Sequence, residues 1–558
     1  MHRLTTTLVL AAGIFGTTPL ASFAQTATPI QPAPVQPAPV QPAAAPVACT
    51  GTPDPYKNYN CLDAYLGDNV FERLYNYYKL EWGQSGPPTD PNAPASSRAG
   101  WPKTPQTTPP MPFTEWPYGG TTNIGVNRTG SADSPLMVAI ANTVPGKWLV
   151  DNGIQIYGWV DPGGNISSNT IRPGGNSPIS YAYTPNTVQL DQAVIYVERT
   201  PDTVQTDHID WGFRISAIYG ENYRYTTSYG LASNQLLNYN NVNGYDFPMV
   251  YGELYIPYVA QGLMLRLGRY ISLPDIEAQL APNNYLYTHS LTYSFDNYTN
   301  EGLQATLAVT NNLMVQLGVS VGTETTFWNM GRQRSNPDPN PLYPGTSYPK
   351  DPGAQPSFTA CFRYTWNDGN DNIYPCVNAI NHGTYGYNNL QWMGTTYYHK
   401  FNDQWHVSFE FYDEHEDGVP NTLGANANPI AVAALANGGT PFSPQNIPFN
   451  APNGANCNNP NVLRCNAYAI GAVAYLNYSP DPMNNFSFRP EIYDDPQGQR
   501  TGYAATYYEF SLGWQHWFSP QVEVRPEVGY YHSDGANAFN GGSKNYTLLL
   551  ASDLIFHF

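Results

Sequence analysis

Trp405-His406-Val407-Ser408-Phe409-Glu410-Phe411 points to β-structure with two unlike faces. Trp405, Val407, Phe409 and Phe411 occupy alternate positions, with Gln404, His406, Ser408 and Glu410 between them. Successive side chains of a β-strand point to opposite faces, so a period of two gives one apolar and one polar face. The rhythm recurs along the chain. Trp211, Phe213, Ile215 and Ala217 oppose Asp210, Gly212, Arg214 and Ser216. Leu313, Val315, Leu317, Val319 and Val321 oppose Met314, Gln316, Gly318, Ser320 and Gly322. Val522, Val524 and Val528 oppose Glu523, Arg525 and Glu527. A soluble sandwich also alternates, but its strands are usually shorter and its apolar face lies inside. Dyad segments of about ten residues match strands that cross a membrane at a tilt.

The links between these segments agree. Ala260-Gln261, Asn311-Asn312, Asn402-Asp403 and Ser519-Pro520 are short, whereas 220–248, 273–300, 323–389 and 415–465 are long and rich in Asn, Gly and Pro. Alternating short and long links are the turn-and-loop asymmetry of outer-membrane barrels. The expectation is an all-β, closed antiparallel transmembrane β-barrel over 149–558, with about 14 strands and a range of 12–16. The segment Val188–Arg199 alternates poorly.

Composition excludes other classes. Charged residues are 12% of 558, Tyr numbers 44, and Gly with Pro (48 and 52) argue against a mainly helical chain. The net charge of −18 disfavours sequence-independent nucleic-acid binding. After the N-terminal leader no segment reaches ~20 continuous apolar residues, as a spanning helix requires.

Residues 1–24 read as a secretory signal, with His2 and Arg3 before an apolar run and Ser22-Phe23-Ala24 at the cleavage position. Residues 25–60 form a Pro-rich tether whose Gln31-Pro32-Ala33-Pro34-Val35 unit repeats at Gln36. Residues 61–148 hold one amphipathic helix, marked by Leu66, Phe71, Leu74 and Tyr78, and a Pro-rich stretch; they form either a plug at a barrel mouth or a surface helix. Six cysteines fall into three local pairs: Cys49 with Cys61, Cys361 with Cys376, and Cys457 with Cys465. In an exported chain such pairs read as disulfides. Both downstream pairs are expected in external loops.

In the last segment Leu548, Leu550, Leu554, Phe556 and Phe558 share one face. A terminal Phe558 with Phe556 two residues before it resembles the signal read by the bacterial barrel-assembly machinery. A second resemblance lies mid-chain. Gly268-Arg269-Tyr270-Ile271, Ile276-Glu277, and the run Ala281-Pro282-Asn283-Asn284-Tyr285-Leu286-Tyr287-Thr288-His289-Ser290 are similar to the central block of OmpL-like outer-membrane β-barrel porins. So are Asn300-Glu301-Gly302-Leu303-Gln304-Ala305-Thr306 and Val315-Gln316-Leu317-Gly318. The resemblance implies an outer-membrane, porin-like protein. The tether, helix and cysteine-bearing loops depart from it and leave the openness of a pore undecided.

By alternation the polar face presents Asp210, Glu253, Glu410, Glu491, Glu523 and Glu527 against Arg214, Arg266, Arg489 and Arg525. Facing charges of opposite sign order water and favour small polar solutes; alternatively they pair and fill a closed lumen. A difference of −2 across these ten favours cations. Tyr157, Trp159, Trp405, Trp514, Trp517 and Tyr530 belong to interfacial girdles or the lumen wall. Asp413-Glu414-His415-Glu416-Asp417 reads as a solvated acidic rim rather than a calcium loop. Gly318-Val319-Ser320-Val321-Gly322 fits a hydrolase motif but sits in a strand without a following helix. No catalytic residue, metal or cofactor is expected. Expected partners are outer-membrane lipid and lipopolysaccharide, the assembly machinery, small hydrophilic solutes and a second copy of the chain. The alternative is a plugged barrel that binds or supports through its long loops.

Overall fold

The computed structural model describes residues 66–82, 124, 134–228, 231–232, 234–237, 241–271, 275–323, 325–329, 355–381, 390–421, 455–462, 464–481, 484–519 and 521–558. The signal and the tether lie outside the described residues. So do Cys49 and Cys61, and the disulfide expected between Cys49 and Cys61 is therefore not among those described, unlike the two downstream pairs. Among the described residues, sixteen strands close into one antiparallel barrel. They are β1 (Ile154–Ser167), β2 (Val188–Arg199), β3 (Asp210–Gly220), β4 (Gly244–Asp246 and Val250–Ile256), β5 (Leu263–Ile271), β6 (Thr299–Ala308), β7 (Leu313–Thr323) and β8 (Ser357–Trp366). Then follow β9 (Asp371–Ile380), β10 (Gln391–Lys400), β11 (Trp405–Pro420), β12 (Arg464–Asp481), β13 (Asn484–Asp495), β14 (Ala505–Ser519), β15 (Val522–Val524 and Glu527–Asp534) and β16 (Tyr546–His557). The two parts of β4 both pair with β3, and those of β15 both pair with β14 and β16, so each is one interrupted strand.

Each strand pairs with its sequence neighbour, and β16 returns to β1, where Trp159 faces His557 and Val160 faces Phe556. The Gly158 and Phe558 backbones exchange hydrogen bonds of 3.0 and 2.9 Å. Closure matters because an unpaired backbone group in hydrocarbon costs several kcal/mol. Gly158 is required there: a Cβ would lie 2.7 Å from Cζ of the Phe558 ring and 2.0 Å from Val194 O.

The count of 14 strands missed one hairpin, β8–β9, hidden inside the stretch 323–389. Its signal was present: Phe358, Phe362 and Tyr364 are exposed outward while Ser357, Thr359, Cys361 and Arg363 are buried. Cys361 and Cys376 are therefore not in an external loop. They are directly opposed on β8 and β9, face inward, and form a disulfide. The Cys457–Cys465 disulfide joins the 421–463 connection to the start of β12. The region 415–465 is likewise only partly loop, because β11 runs to Pro420.

The poor alternation of β2 has a local cause. Asp161 pairs with Gln192 and Pro162 with Leu190, leaving Asp191 as an extra residue. This bulge turns both Asp191 and Gln192 inward. The outer face carries Leu, Val, Ile and aromatic side chains, among them Leu267, Val319, Phe362, Leu512 and Leu550, all exposed. Of the six aromatics assigned to girdles or lumen, Trp405, Trp514 and Tyr530 face outward, and Tyr157, Trp159 and Trp517 are buried inside. Much of the large Tyr complement fills the interior, including Tyr181, Tyr223, Tyr225, Tyr251, Tyr293, Tyr412, Tyr493 and Tyr531.

Among the described residues three helices precede β1. They are α1 (Val70–Trp82), α2 (Pro135–Ile140) and α3 (Val144–Asp151). Ser134 and Thr143 cap α2 and α3, accepting from Met137 N and Gly146 N at 3.0 Å, and Pro follows each cap within the first turn. Arg73 holds α1 to α2 through the carbonyls of Val138 (2.8 Å) and Ala139 (3.1 Å). Tyr78 reaches His557 O, and Ser134 Oγ donates to Ile156 O at 2.8 Å. The helices thus sit at the barrel end that carries the short links.

Candidate lumen site

The segment joining β5 to β6, described from 275 to 298, folds inward and reaches strands on the far wall. Many of its polar groups end on lumen-facing side chains. Ile276 N donates to Glu410 Oε2 (2.9 Å), and Leu291 N and Thr292 N donate to Glu491 (2.9 and 2.5 Å). Thr288 N donates to Glu527 Oε2 at 2.9 Å. Arg525 donates to the carbonyls of Ala281 (2.5 Å) and Asn284 (3.1 Å), and its guanidinium also engages Asp553. On the β2 side, Tyr287 donates to Asp191 Oδ2 (2.8 Å) and Gln192 donates to Gln279 O (2.8 Å). Gly163 on β1 makes room, since a Cβ there would lie 2.6 Å from the Tyr287 hydroxyl.

Arg489 is the centre of this arrangement. Its guanidinium lies 3.1 Å from Glu277, 2.5 Å from Glu509 and 3.7 Å from Glu527. It also donates to Thr288 O (2.6 Å), Thr288 Oγ1 (2.8 Å) and the Tyr475 hydroxyl (3.0 Å). A planar fork of donors suits such multiple recognition. Burial raises the Glu277 carboxyl above its usual range, with Arg489 pulling it back. His289 is stacked on Tyr181 at 3.6 Å and bonded to Ala278 O at 2.7 Å. Burial holds its imidazole well below its ordinary value.

Two other connections also pack inside. Residues Ile179 to Tyr183 and the 3-10 turn Glu221–Tyr225 are buried, with Tyr181 stacked on Tyr225 at 4.4 Å. Glu221, pushed up to about 7 by burial against the opposing pull of Arg224, belongs to this layer.

All ten charged residues expected on the lumen face are buried on it. The structure gathers Glu410, Arg489, Glu491, Arg525 and Glu527 around the inserted segment. Arg214, Glu253 and Arg266 form a second group: Arg214 Nε lies 2.6 Å from Glu198, Arg266 Nη2 lies 2.6 Å from Glu253, and the Arg266 guanidinium stacks 4.3 Å from the Tyr251 ring. Asp210 stands apart at the short-link end, paired with Arg199 at 2.9 Å. Glu523, at the same end, accepts from Gln515 at 2.7 Å.

The acidic run Asp413–Asp417 is not a solvated rim. It lies within β11, and Glu414 and Glu416 point inward beside Glu410, fully buried. Ser320 is an inward residue within β7, and His406 and Ser408 are inward on β11, with His406 bonded to Tyr285. Sequence reading missed Asp191, Glu198, Asp275, Glu277, Asp296, Glu509 and Asp553. Glu198, Glu509 and Asp553 carried the alternation signal; the others sit on the bulge or the inserted segment, where no period marks them.

No curated protein matches the chain at a significant level. Among solved structures it is similar to the anion-selective porin from Comamonas acidovorans, at 7% identity and TM-score 0.42, over 73% of this chain and 99% of that one. The outer membrane channel DcaP of Acinetobacter baumannii is 9% identical with TM-score 0.42, over 73% and 97%. Salmonella typhi OmpF, solved as a complex with daunomycin, is 10% identical with TM-score 0.42, over 73% and 99%. The family model described as "Putative beta-barrel porin-2, OmpL-like" matches residues 153–558, the whole of the barrel described above. The chain belongs to that family of outer-membrane porins.

Proposed function

We propose that this outer-membrane porin passes small hydrophilic solutes and ions by passive diffusion, through a lumen narrowed by its own inserted segment and without a catalytic cycle. The observation that carries this reading is the inner wall. Its strands present carboxylates and arginines around a polar segment, while the outer wall is apolar. Water and small polar solutes fit such an interior, and apolar solutes do not. The helices α1 to α3 are read as a cap at the short-link, periplasmic end. Lipid and lipopolysaccharide against the outer wall, the assembly machinery and a homo-oligomer are the proposed partners.

The dense packing of the inserted segment favours one second reading, a barrel held shut until the segment moves. Planar-bilayer recording of the purified mature chain separates the two. Small, well-defined conductance steps support the porin reading. A membrane that stays silent, with protein shown to be folded by heat-modifiable migration, supports the shut barrel.

A further inference from the structure

Asp275 and Asp296 flank the inserted segment, and Glu410 stands on β11 opposite them. One carboxylate oxygen from each lies within 4.8 Å of the others. The three residues are 7%, 1% and 0% exposed. Asp275 Oδ1, Asp296 Oδ2 and Glu410 Oε1 accept no hydrogen bond from an N–H or hydroxyl group among the described residues, and the three carboxyls face one another at hydrogen-bonding range. Glu410 Oε2 is already committed to Ile276 N. Arg500 is nearby, donating to the carbonyls of Phe295 (2.7 Å) and Asp296 (2.9 Å) and lying 3.6 Å from Glu414. Across the described chain, twenty buried carboxylates stand against nine buried arginines.

We propose that Asp275, Asp296 and Glu410 hold a calcium ion, which ties the inserted segment to the barrel wall. Hard carboxylate oxygens with unused lone pairs are the donor set that calcium takes, with water completing its six to eight ligands. Coordination flexibility also favours calcium, because three carboxylates from a wall strand and an irregular segment suit its variable shell better than the near-ideal octahedron that magnesium demands. The ion would join two chain regions more than a hundred residues apart. It does so whether or not the barrel conducts.

The test is calcium binding to the full-length barrel in detergent, stripped with a chelator and titrated calorimetrically with CaCl2 and then MgCl2. The expected result is one calcium site per chain, at least about tenfold weaker for magnesium. Glu410→Gln and Asp296→Asn should each weaken it at least about tenfold, and the exposed Asp207→Asn should not. Heat-modifiable migration reports folding for each variant; if Glu410→Gln fails to fold, Asp296→Asn decides. Absence of calcium binding to the folded wild-type barrel at about 1 mM overturns the proposal, and shared protons then neutralise the cluster. Binding that survives both substitutions also overturns it, by placing the ion on the acidic surface.

Discussion

Replacing Arg489 with Gln removes a cation that contacts Glu277, Glu509 and Glu527 together. Its donors to Thr288 O (2.6 Å) and Thr288 Oγ1 (2.8 Å) on the inserted segment go with it. Breaking a fully buried ion pair by deleting one partner costs about 3–5 kcal/mol, because a charge is left without compensation. Most of that cost falls on the docked state of the segment, since Glu277 and Thr288 can leave the wall whereas Glu509 and Glu527 cannot. The docked-to-released ratio should then fall by roughly 10²–10⁴-fold. In planar bilayers the variant should show larger and noisier conductance steps than wild type. Chymotrypsin should cut after Tyr285 or Phe295, which are buried in the native barrel. Arg489→Lys keeps the charge but loses the fork, and should fall between the two. A folded Arg489→Gln barrel with unchanged conductance and unchanged protease resistance would refute the assignment of Arg489 as the anchor.

Phe558→Asp should lower the yield of heat-modifiable barrel, because it places a charge where the ring covers Gly158 at the closing seam; normal yield under native expression contradicts this. Glu221 has a carboxyl pushed up to about 7 by burial, so its protonated form is favoured in the folded state. The penalty it imposes is absent well below about pH 4, grows as pH rises towards about 7, and reaches about 3 kcal/mol at higher pH. Glu221→Gln should therefore raise thermal stability at about pH 8 and change it little at about pH 4; an equal gain at both values argues against a titrating group. The excess of buried carboxylates over arginines predicts cation preference in a KCl gradient, fading between about 0.1 M and 1 M as the Debye length shrinks from about 10 Å to about 3 Å. An anion preference at low salt would mean that an arginine-lined constriction outweighs the total.

Features carried by neighbouring residues are legible in the chain before it folds. The period of two in β3, β7 and β11 sets which side of each strand faces inward, and Arg214, Gln316 and Glu410 are buried on the side their neighbours indicate. Link lengths fixed the two ends of the barrel in the same way. Where a local irregularity intervened, the reading lost the thread: the bulge at Asp191 broke the phase of β2, and the Asn- and Pro-rich surroundings of 323–389 concealed the β8–β9 hairpin. The cysteines show the same division. Spacing paired Cys361 with Cys376, but only the strand register put that bond inside the wall. The acidic run at 413–417 misled for a related reason. Four carboxylates in five residues suggest water, yet the alternation of β11 sends Glu414 and Glu416 inward. What stands opposite those charges depends on the closed barrel. Asp275, Glu277 and Asp296 lie on an aperiodic segment, and their partners Glu410, Tyr475 and Arg489 come from strands far along the chain. Such contacts do not exist until the barrel closes around the segment, and their free energy comes from pairing polar groups that closure has removed from water.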